Sequence, residues 1–334
     1  MSGGTWGTAE EVPGSGTLNT GGTAQLPSVS CASAGNCSAG GSYTDGSGRS
    51  QAFVVNETNG TWGTAKEVAA TLNRGSAQIN SVSCASAGNC SAGGFYNDAS
   101  GHPQAFVVNE TNGTWGTAKE VAATLNRGGD GWVSSVSCAS AGNCSAGGAY
   151  SDRANHFQAF VANETNGTWR AAEEVAAALN TDDARLSSVS CVSAGNCSAG
   201  GFYGQPTPGQ PTEFSHAFVI NETNGTWGTA EEVAAALDTG RQGAVSSVSC
   251  WSAGNCSASG IYSVASSEAF ETFVINETNG TWGTAEEIPG IAALNQKGAA
   301  NVSSLSCEPT GTCSAGGFYT DANINQQVFV VNKT

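Results

Sequence analysis

The apolar positions of this chain fall in short alternating runs, not in the three-to-four spacing of a helix that buries one side. Over residues 28–69, "SVSC" alternates Ser with Val, "CSAGGSY" makes a second run, "QAFVVNE" alternates toward Phe and Val, and "TWGTAKEVA" is a fourth. Small and turn-forming residues ("ASAGN") separate the first run from the second, and "TNG" between the third and fourth carries the Asn-Gly hairpin signal. The pattern therefore predicts four short antiparallel strands. The helix-like text "AEEVAAALN" follows a strand directly and is too short to nucleate alone, so it reads as the end of the fourth strand.

This pattern repeats. "QAFVVNETNGTWGTAKEVAATLN" occupies residues 51–73 and returns unchanged at 104–126, while "NETNGTW" begins at Asn56, Asn109, Asn163, Asn221 and Asn276. Six units spaced 53 to 59 residues apart account for the 334 residues as a single repeat domain, with no room for a separate catalytic domain. Four antiparallel strands in each of six units predict an all-β, six-bladed β-propeller, in which each small sheet covers the apolar face of the next. The chain opens on the text of a fourth strand ("TWGTAEEV") and ends on that of a third ("QQVFVVNKT"). Joined, these would rebuild the hairpin seen inside the chain and staple the ring shut.

The run "VSSVSCASAGNCSAGGFYND" followed by "AFVVNETNG" resembles the first three strands of WD-repeat propellers, over about two-thirds of each repeat. The Trp-Asp pair is absent, Val55-Asn56 standing in its place, and no structural His recurs. "TNGTW" resembles the Asp-box turn of sialidase-like propellers, with Asn59 in place of the acidic residue. Both resemblances imply a propeller, of the kind that includes bacterial propeller lectins, and the Ala/Gly-rich text reads as bacterial. Neither transfers an activity.

The cysteines add chemistry. They form six pairs of constant spacing, Cys31/Cys37, Cys84/Cys90, Cys138/Cys144, Cys191/Cys197, Cys250/Cys256 and Cys307/Cys313. Metal ligands come as two close pairs or with His, and His102, His156 and His216 lie near no pair, so no metal is expected. A local disulfide across each tight hairpin fits better and places the protein in an oxidising compartment. No signal peptide pattern precedes the repeats, so a secreted location is inferred from the cysteines alone. Charged residues are 11% of the chain and the net charge is −16, which argues against nucleic acid and anionic membranes as partners. No apolar run is long enough to cross a bilayer as a helix. A soluble monomer without a cofactor is expected.

The strand order sorts each repeat into two faces. The first-to-second and third-to-fourth turns emerge on one face and are nearly invariant ("ASAGN", "ETNG"). The second-to-third and fourth-to-first loops emerge on the other and diverge ("TDGSGRS", "NDASGHP", "SDRANHF"; "NRGSAQ", "NRGGDGW", "NTDDAR"). Loops tolerate change, and a binding surface would also diverge; both explanations stay open. At the channel mouth, six residues before the first Cys of each pair, stand Gln25, Gln78, Trp132, Arg185, Ala244 and Asn301 on a repeated apolar frame. Trp132 and Arg185, from adjacent blades, suit stacking on a sugar or a planar ligand; the alternative is that Trp132 plugs the channel. Tyr43, Tyr96 and Tyr150, with Tyr203, Tyr262 and Tyr319, end second strands near the same face, and Asp45, Asp98, Asp152 and Asp321 follow two residues later. These Asp residues are expected to cap their own turns, the functional alternative being a repeated Tyr/Asp/Asn site for sugar hydroxyls completed by the Asn of "LN" (Asn73, Asn126). The recurring Trp, from Trp6 to Trp282, is expected to pack between blades.

Catalysis has little support. There is no Ser/His/Asp order, metal cluster or phosphate loop, and neighbouring carboxylates such as Glu173-Glu174 point to opposite faces of a strand. The expectation is a secreted, non-enzymatic carbohydrate-binding module. A protein-docking scaffold of an extracellular assembly, a polysaccharide hydrolase or lyase, and a recently amplified or designed array without a ligand are the alternatives.

Overall fold

Each repeat folds into one antiparallel sheet. The computed structural model describes residues 7–205, 214–265 and 269–333. Blade 1 runs Ala24–Ser33, Asn36–Thr44, Ser50–Thr58, Thr61–Trp62 and Lys66–Val68. Blades 2 to 5 repeat this order, and blade 6 comprises Asn301–Cys307, Cys313–Thr320 and Gln326–Lys333. The innermost strands of consecutive blades lie side by side from the first blade to the sixth, giving the six-bladed β-propeller architecture. The expected fourth strand is broken in two. Gly63 N–H turns back to Asn56 O (2.7 Å), so Thr61–Trp62 pairs with the tip of the third strand and Lys66–Val68 with its middle. Of the helix-like text "AEEVAAALN" only Glu173–Glu174 is strand and the rest is loop and turn, while four-residue helices stand at Ser15–Leu18 and Ile291–Leu294.

The hairpins follow the sequence closely. Asn59 (φ 50) and Gly60 (φ 80) are both left-handed, the conformation that an Asn-Gly turn between twisted strands requires. Gly60 N–H donates to Gly35 O at 2.9 Å, tying the two turns of one face together; a Cβ on Gly35 would lie 2.7 Å from Gly60 N.

All six cysteine pairs are disulfides between directly opposed residues of the first and second strands, at a Cα separation of 3.9–4.0 Å. The pairing is the expected one, but the cysteines are more than staples of a surface hairpin. The second cysteine of every pair is buried: Cys37, Cys90, Cys144, Cys197, Cys256 and Cys313 are all at most 8% exposed. Cys90, Cys144, Cys197, Cys256 and Cys313 belong to the apolar cores between blades, and the Sγ of Cys90 lies 3.2 Å from the Ser38 hydroxyl of blade 1. The cause is the register of the second strand, whose Cys faces the neighbouring blade and behaves there as a small hydrophobe. These residues are therefore part of the packing between blades.

Two features of "SVSCASAGNCSAGG" weld blade to blade. The Ser residues of one innermost strand accept backbone N–H groups of the next: Ser28 Oγ from Val82 (2.9 Å), Ser30 Oγ from Cys84 (3.0 Å), and likewise onward to Ser249 and Cys307 (3.0 Å). The first Gly of the pair makes room for the neighbour's core. A Cβ on Gly40 would meet Ile79 at 2.7 Å, and Ile79 and Val82 are buried against blade 1. Each interface thus has its own small core of Val, Ile, Ala and Phe.

Ring closure by strand pairing is not seen among the described residues. Thr5 and Trp6 lie outside them. Gly7–Val12 form no strand, and Val12 and Leu18 pack on blade 1, where Pro13 O accepts Ala65 N–H at 2.8 Å. Val12 and Leu18 are placed against blade 1 as Val68 and Leu72 are against blade 2. The two terminal faces stay open. Leu26 and Val29 are 40% and 58% exposed, and Val328 and Val330 are 85% and 84% exposed, whereas their counterparts Ile79, Val82, Ala52 and Val54 are at most 6% exposed. No helix among the described residues is long and apolar enough to cross a membrane.

Candidate functional site

At the divergent face, the acidic residues that follow the second strand in four blades are spent on their own loops. Asp45 Oδ1 accepts Ser47 N–H (2.8 Å), Ser47 Oγ (2.6 Å) and Arg49 N–H (3.0 Å), and Oδ2 accepts Gln51 Nε2 (2.8 Å). Asp98, Asp152 and Asp321 do the same in their blades, with Gln104, Gln158 and Gln327. The hydroxyl of Ser47 and the amide of Gln51 hold the Asp45 carboxyl below the usual carboxylate range. Asn73 and Asn126 complete these chains by donating to Gln51 and Gln104, both at 2.7 Å. The turn-capping expectation matches this geometry.

The tyrosines turn inward. Tyr43, Tyr96 and Tyr150 are at most 5% exposed, and their hydroxyls donate to Glu67, Glu120 and Glu174 of the outermost strand at 2.7–2.9 Å. Burial, together with the carboxylate it bonds, pushes each phenol above its ordinary range. These side chains link the second strand of a blade to its last and do not line an open rim.

At the mouth the predicted neighbours do meet. Gln25 Nε2 donates to Gln78 Oε1 at 2.8 Å, across blades 1 and 2, and Gln78 donates on to Asn80. Arg185 of blade 4 reaches back over Trp132 (5.3 Å to the ring centroid) and Phe157 (4.4 Å) of blade 3. Trp132 and Phe157 pack edge to face with centroids 5.1 Å apart. Asn301 stands apart, paired with Phe318 in blade 6.

The clefts lie on the other face. Between blades 2 and 3, 3 and 4, and 4 and 5, three equivalent hollows of about 220, 260 and 350 Å³ open beside the disulfides. Each is lined by the same residues: the Asn-Cys-Ser of one second strand (Asn143, Cys144, Ser145), the Asn-Glu-Thr of the third (Asn163, Glu164, Thr165), and the turn glycine and Glu of the next blade (Gly195, Glu222). The cleft between blades 3 and 4 also contains Trp227 and Arg170, where other blades carry Gly after the Trp. A further hollow of about 550 Å³ lies by Trp62, Lys66 and Trp115.

A repeated clasp forms the floor of these clefts. Asn56 Oδ1 accepts the indole N–H of Trp115 (2.6 Å) and the Ser38 hydroxyl (3.1 Å), while its Nδ2 donates to Glu110 at 2.5 Å. Asn109, Trp169 and Glu164 repeat it, as do Asn221, Trp282 and Glu277. Glu110, Glu164, Glu222 and Glu277 are at most 4% exposed, and burial holds each carboxyl above its ordinary value. The recurrent Trp therefore packs between blades, as its place in the repeat predicts; Trp6 lies outside the described residues. The Asn and Glu of "NET" escape a sequence reading as site residues because the phrase reads first as a hairpin. The signal is their invariance on a face whose turns do not require it. No group of three metal-ligating side chains occurs among the described residues.

No protein-family model matches the sequence, and no curated protein does. Among solved structures the chain is similar to a fucose-specific lectin from Aleuria aurantia (11% identity, TM-score 0.42, covering 93% of this chain and 95% of the lectin). It is also similar to an α-L-arabinanase from Penicillium chrysogenum (14%, 0.44, covering 92% and 93%) and a neuraminidase-like protein from A/bat/Guatemala (11%, 0.47, covering 93% and 88%). At these values no ligand or activity passes from them to this chain.

Proposed function

We propose that this protein is an extracellular carbohydrate-binding β-propeller that holds its ligands without altering them, in equivalent clefts between consecutive blades. The observation that carries the reading is the repetition of one polar lining, amide, hydroxyl and carboxyl, in three clefts, one of which adds the indole of Trp227. Such a lining offers donors and acceptors to sugar hydroxyls; the hollow of about 350 Å³ enters the range for small-molecule sites, about 300–1,000 Å³, and the two of about 220 and 260 Å³ lie just below it, room for a single sugar ring. Repetition favours several weak sites acting together over one central catalytic centre. The disulfides agree with an oxidising, extracellular setting.

A glycan-array screen of the oxidised protein followed by calorimetry tests this. Several equivalents of glycan per chain are expected. A single equivalent, or silence across the array, overturns the reading and turns attention to protein docking on the divergent loops.

A further inference from the structure

Arg185 is a charge without a partner. Its side chain makes no ion pair and no hydrogen bond among the described residues, and its Nε is buried with no acceptor. This occurs in a chain with 27 acidic and 11 basic residues, where an acceptor is easily supplied. The Asp183 Oδ1, two residues earlier in the chain, accepts the backbone N–H of Phe157 at 2.7 Å. A buried guanidinium N–H left unpaired is costly, and the ordinary remedy in a protein interior is a carboxylate.

What does hold Arg185 is aromatic. Its guanidinium carbon lies 4.4 Å from the Phe157 ring, 5.3 Å from Trp132 and 5.9 Å from Phe202, so the planar fork is fixed in direction before anything binds. The repeat scaffold does not need this arrangement. The positions equivalent to Trp132 and Arg185 carry Gln25, Gln78, Ala244 and Asn301 in the other blades, and those blades fold alike. A half-buried indole beside a pre-oriented, unpaired guanidinium offers an apolar ring for a sugar face and a two-pronged donor for a planar anion.

We propose that the Trp132–Phe157–Arg185 cluster is a single binding site for an acidic sugar, with Arg185 receiving the carboxylate of a hexuronate and Trp132 the sugar face. The inference rests on the carbohydrate reading above and narrows it: the clefts take neutral hydroxyls, and the divergent face takes one charged residue per chain.

The probes are a glucuronic-acid oligosaccharide and its neutral glucose counterpart, titrated into the whole chain. Binding is followed by calorimetry and by the Arg Nε–H signals in nitrogen-edited NMR. The expected result is that the acidic probe binds at least tenfold more tightly, moves the Arg185 signal and weakens with added salt. Arg185→Gln should reduce it to the level of the neutral probe. Arg185→Lys, which keeps the charge, should lose most of the preference because an ammonium cannot present the fork. Should Arg185→Gln fail to fold, the lysine variant and the wild-type NMR shift still decide. Equal binding of the two probes, or an Arg185 signal unmoved by the acidic probe, overturns the proposal. Equal binding of a sulfated sugar overturns the carboxylate assignment. Loss of neutral binding in the clefts sinks the reading in the preceding section and leaves the Arg185 signal interpretable.

Discussion

Trp115 donates its indole N–H to the side-chain oxygen of Asn56 at 2.6 Å, across 59 residues of sequence and one blade boundary. The same amide donates from its nitrogen to Glu110. One Asn thus satisfies three groups of two blades, and the pattern recurs around the arc.

Truncating that Asn should cost more than a surface hydrogen bond. In Asn109→Ala, the Trp169 indole, the Ser91 hydroxyl and the buried Glu164 all lose a partner. With about 1–3 kcal/mol for each buried polar group left unsatisfied, and water able to reach part of the cleft, we expect a loss of about 2–4 kcal/mol. Urea unfolding checks it. A loss under about 0.5 kcal/mol, the scale of an ordinary surface change, would show the clasp to be incidental.

The buried glutamates set the sign of the pH dependence. Burial raises the carboxyls of Glu110, Glu164, Glu222 and Glu277 above their ordinary value of 4.5, so the folded chain holds protons that the unfolded chain has released. Their contribution is complete below that value and is lost as pH rises through the folded pKa. Asp45 and Asp321 act oppositely: side-chain and backbone donors lower them below 3.8, so their contribution is present above that value and is lost on acidification through the folded pKa. Thermal unfolding should therefore occur at a higher temperature near pH 5 than near pH 8. The double variant Glu164→Gln/Glu222→Gln should flatten that slope, and an unchanged slope would assign it to other groups.

How far this was legible in the sequence depends on range. The disulfides, the Asn-Gly turns and the Asp45 cap join residues within six positions of one another, so spacing alone places them. The Asn–Trp clasps and the serine bonds between blades span more than 50 residues, and strand alternation does not say what lies across the gap. Spacing pairs Cys84 with Cys90, yet it does not say that Cys90 faces the core of the preceding blade interface. Ser28 and Ser30 read as the polar side of a strand, but they accept the backbone of blade 2. Tyr43 reads as a rim residue, whereas its hydroxyl reaches the outermost strand. The shared offset to the cysteines is enough to pair Trp132 with Arg185. That the arginine lacks an acid is visible only in three dimensions.

The open faces of blades 1 and 6 are the two halves of an interface the chain builds five times. Leu26 and Val29 match Ile79 and Val82, while Val328 and Val330 match Ala52 and Val54. Withdrawing each such side chain from water is worth roughly 1.5–3 kcal/mol, so we expect the faces to mate. Ends tethered in one chain meet at an effective concentration on the order of millimolar, which favours mating within the chain at micromolar protein. Light scattering should report a monomer, and Val330→Asp should lower the unfolding temperature. Growth of larger species with concentration would instead mean that the faces mate between copies.

Arg170 separates ligand binding from stability. It follows Trp169, where the other blades carry Gly63, Gly116, Gly228 and Gly283, and it lines the cleft between blades 3 and 4. Among the described residues its hydrogen bonds are a backbone one to Asn163 that those glycines also make and an exposed one from Nε to Thr165 at 3.3 Å. Arg170→Gly should therefore leave stability within about 0.5 kcal/mol of the parent, as for other exposed substitutions. If the clefts are the sugar sites, one class of calorimetric site should change affinity while the others stay fixed. If every class shifts together, the clefts are not independent sites. If none shifts, the ligand does not enter the cleft that Arg170 borders.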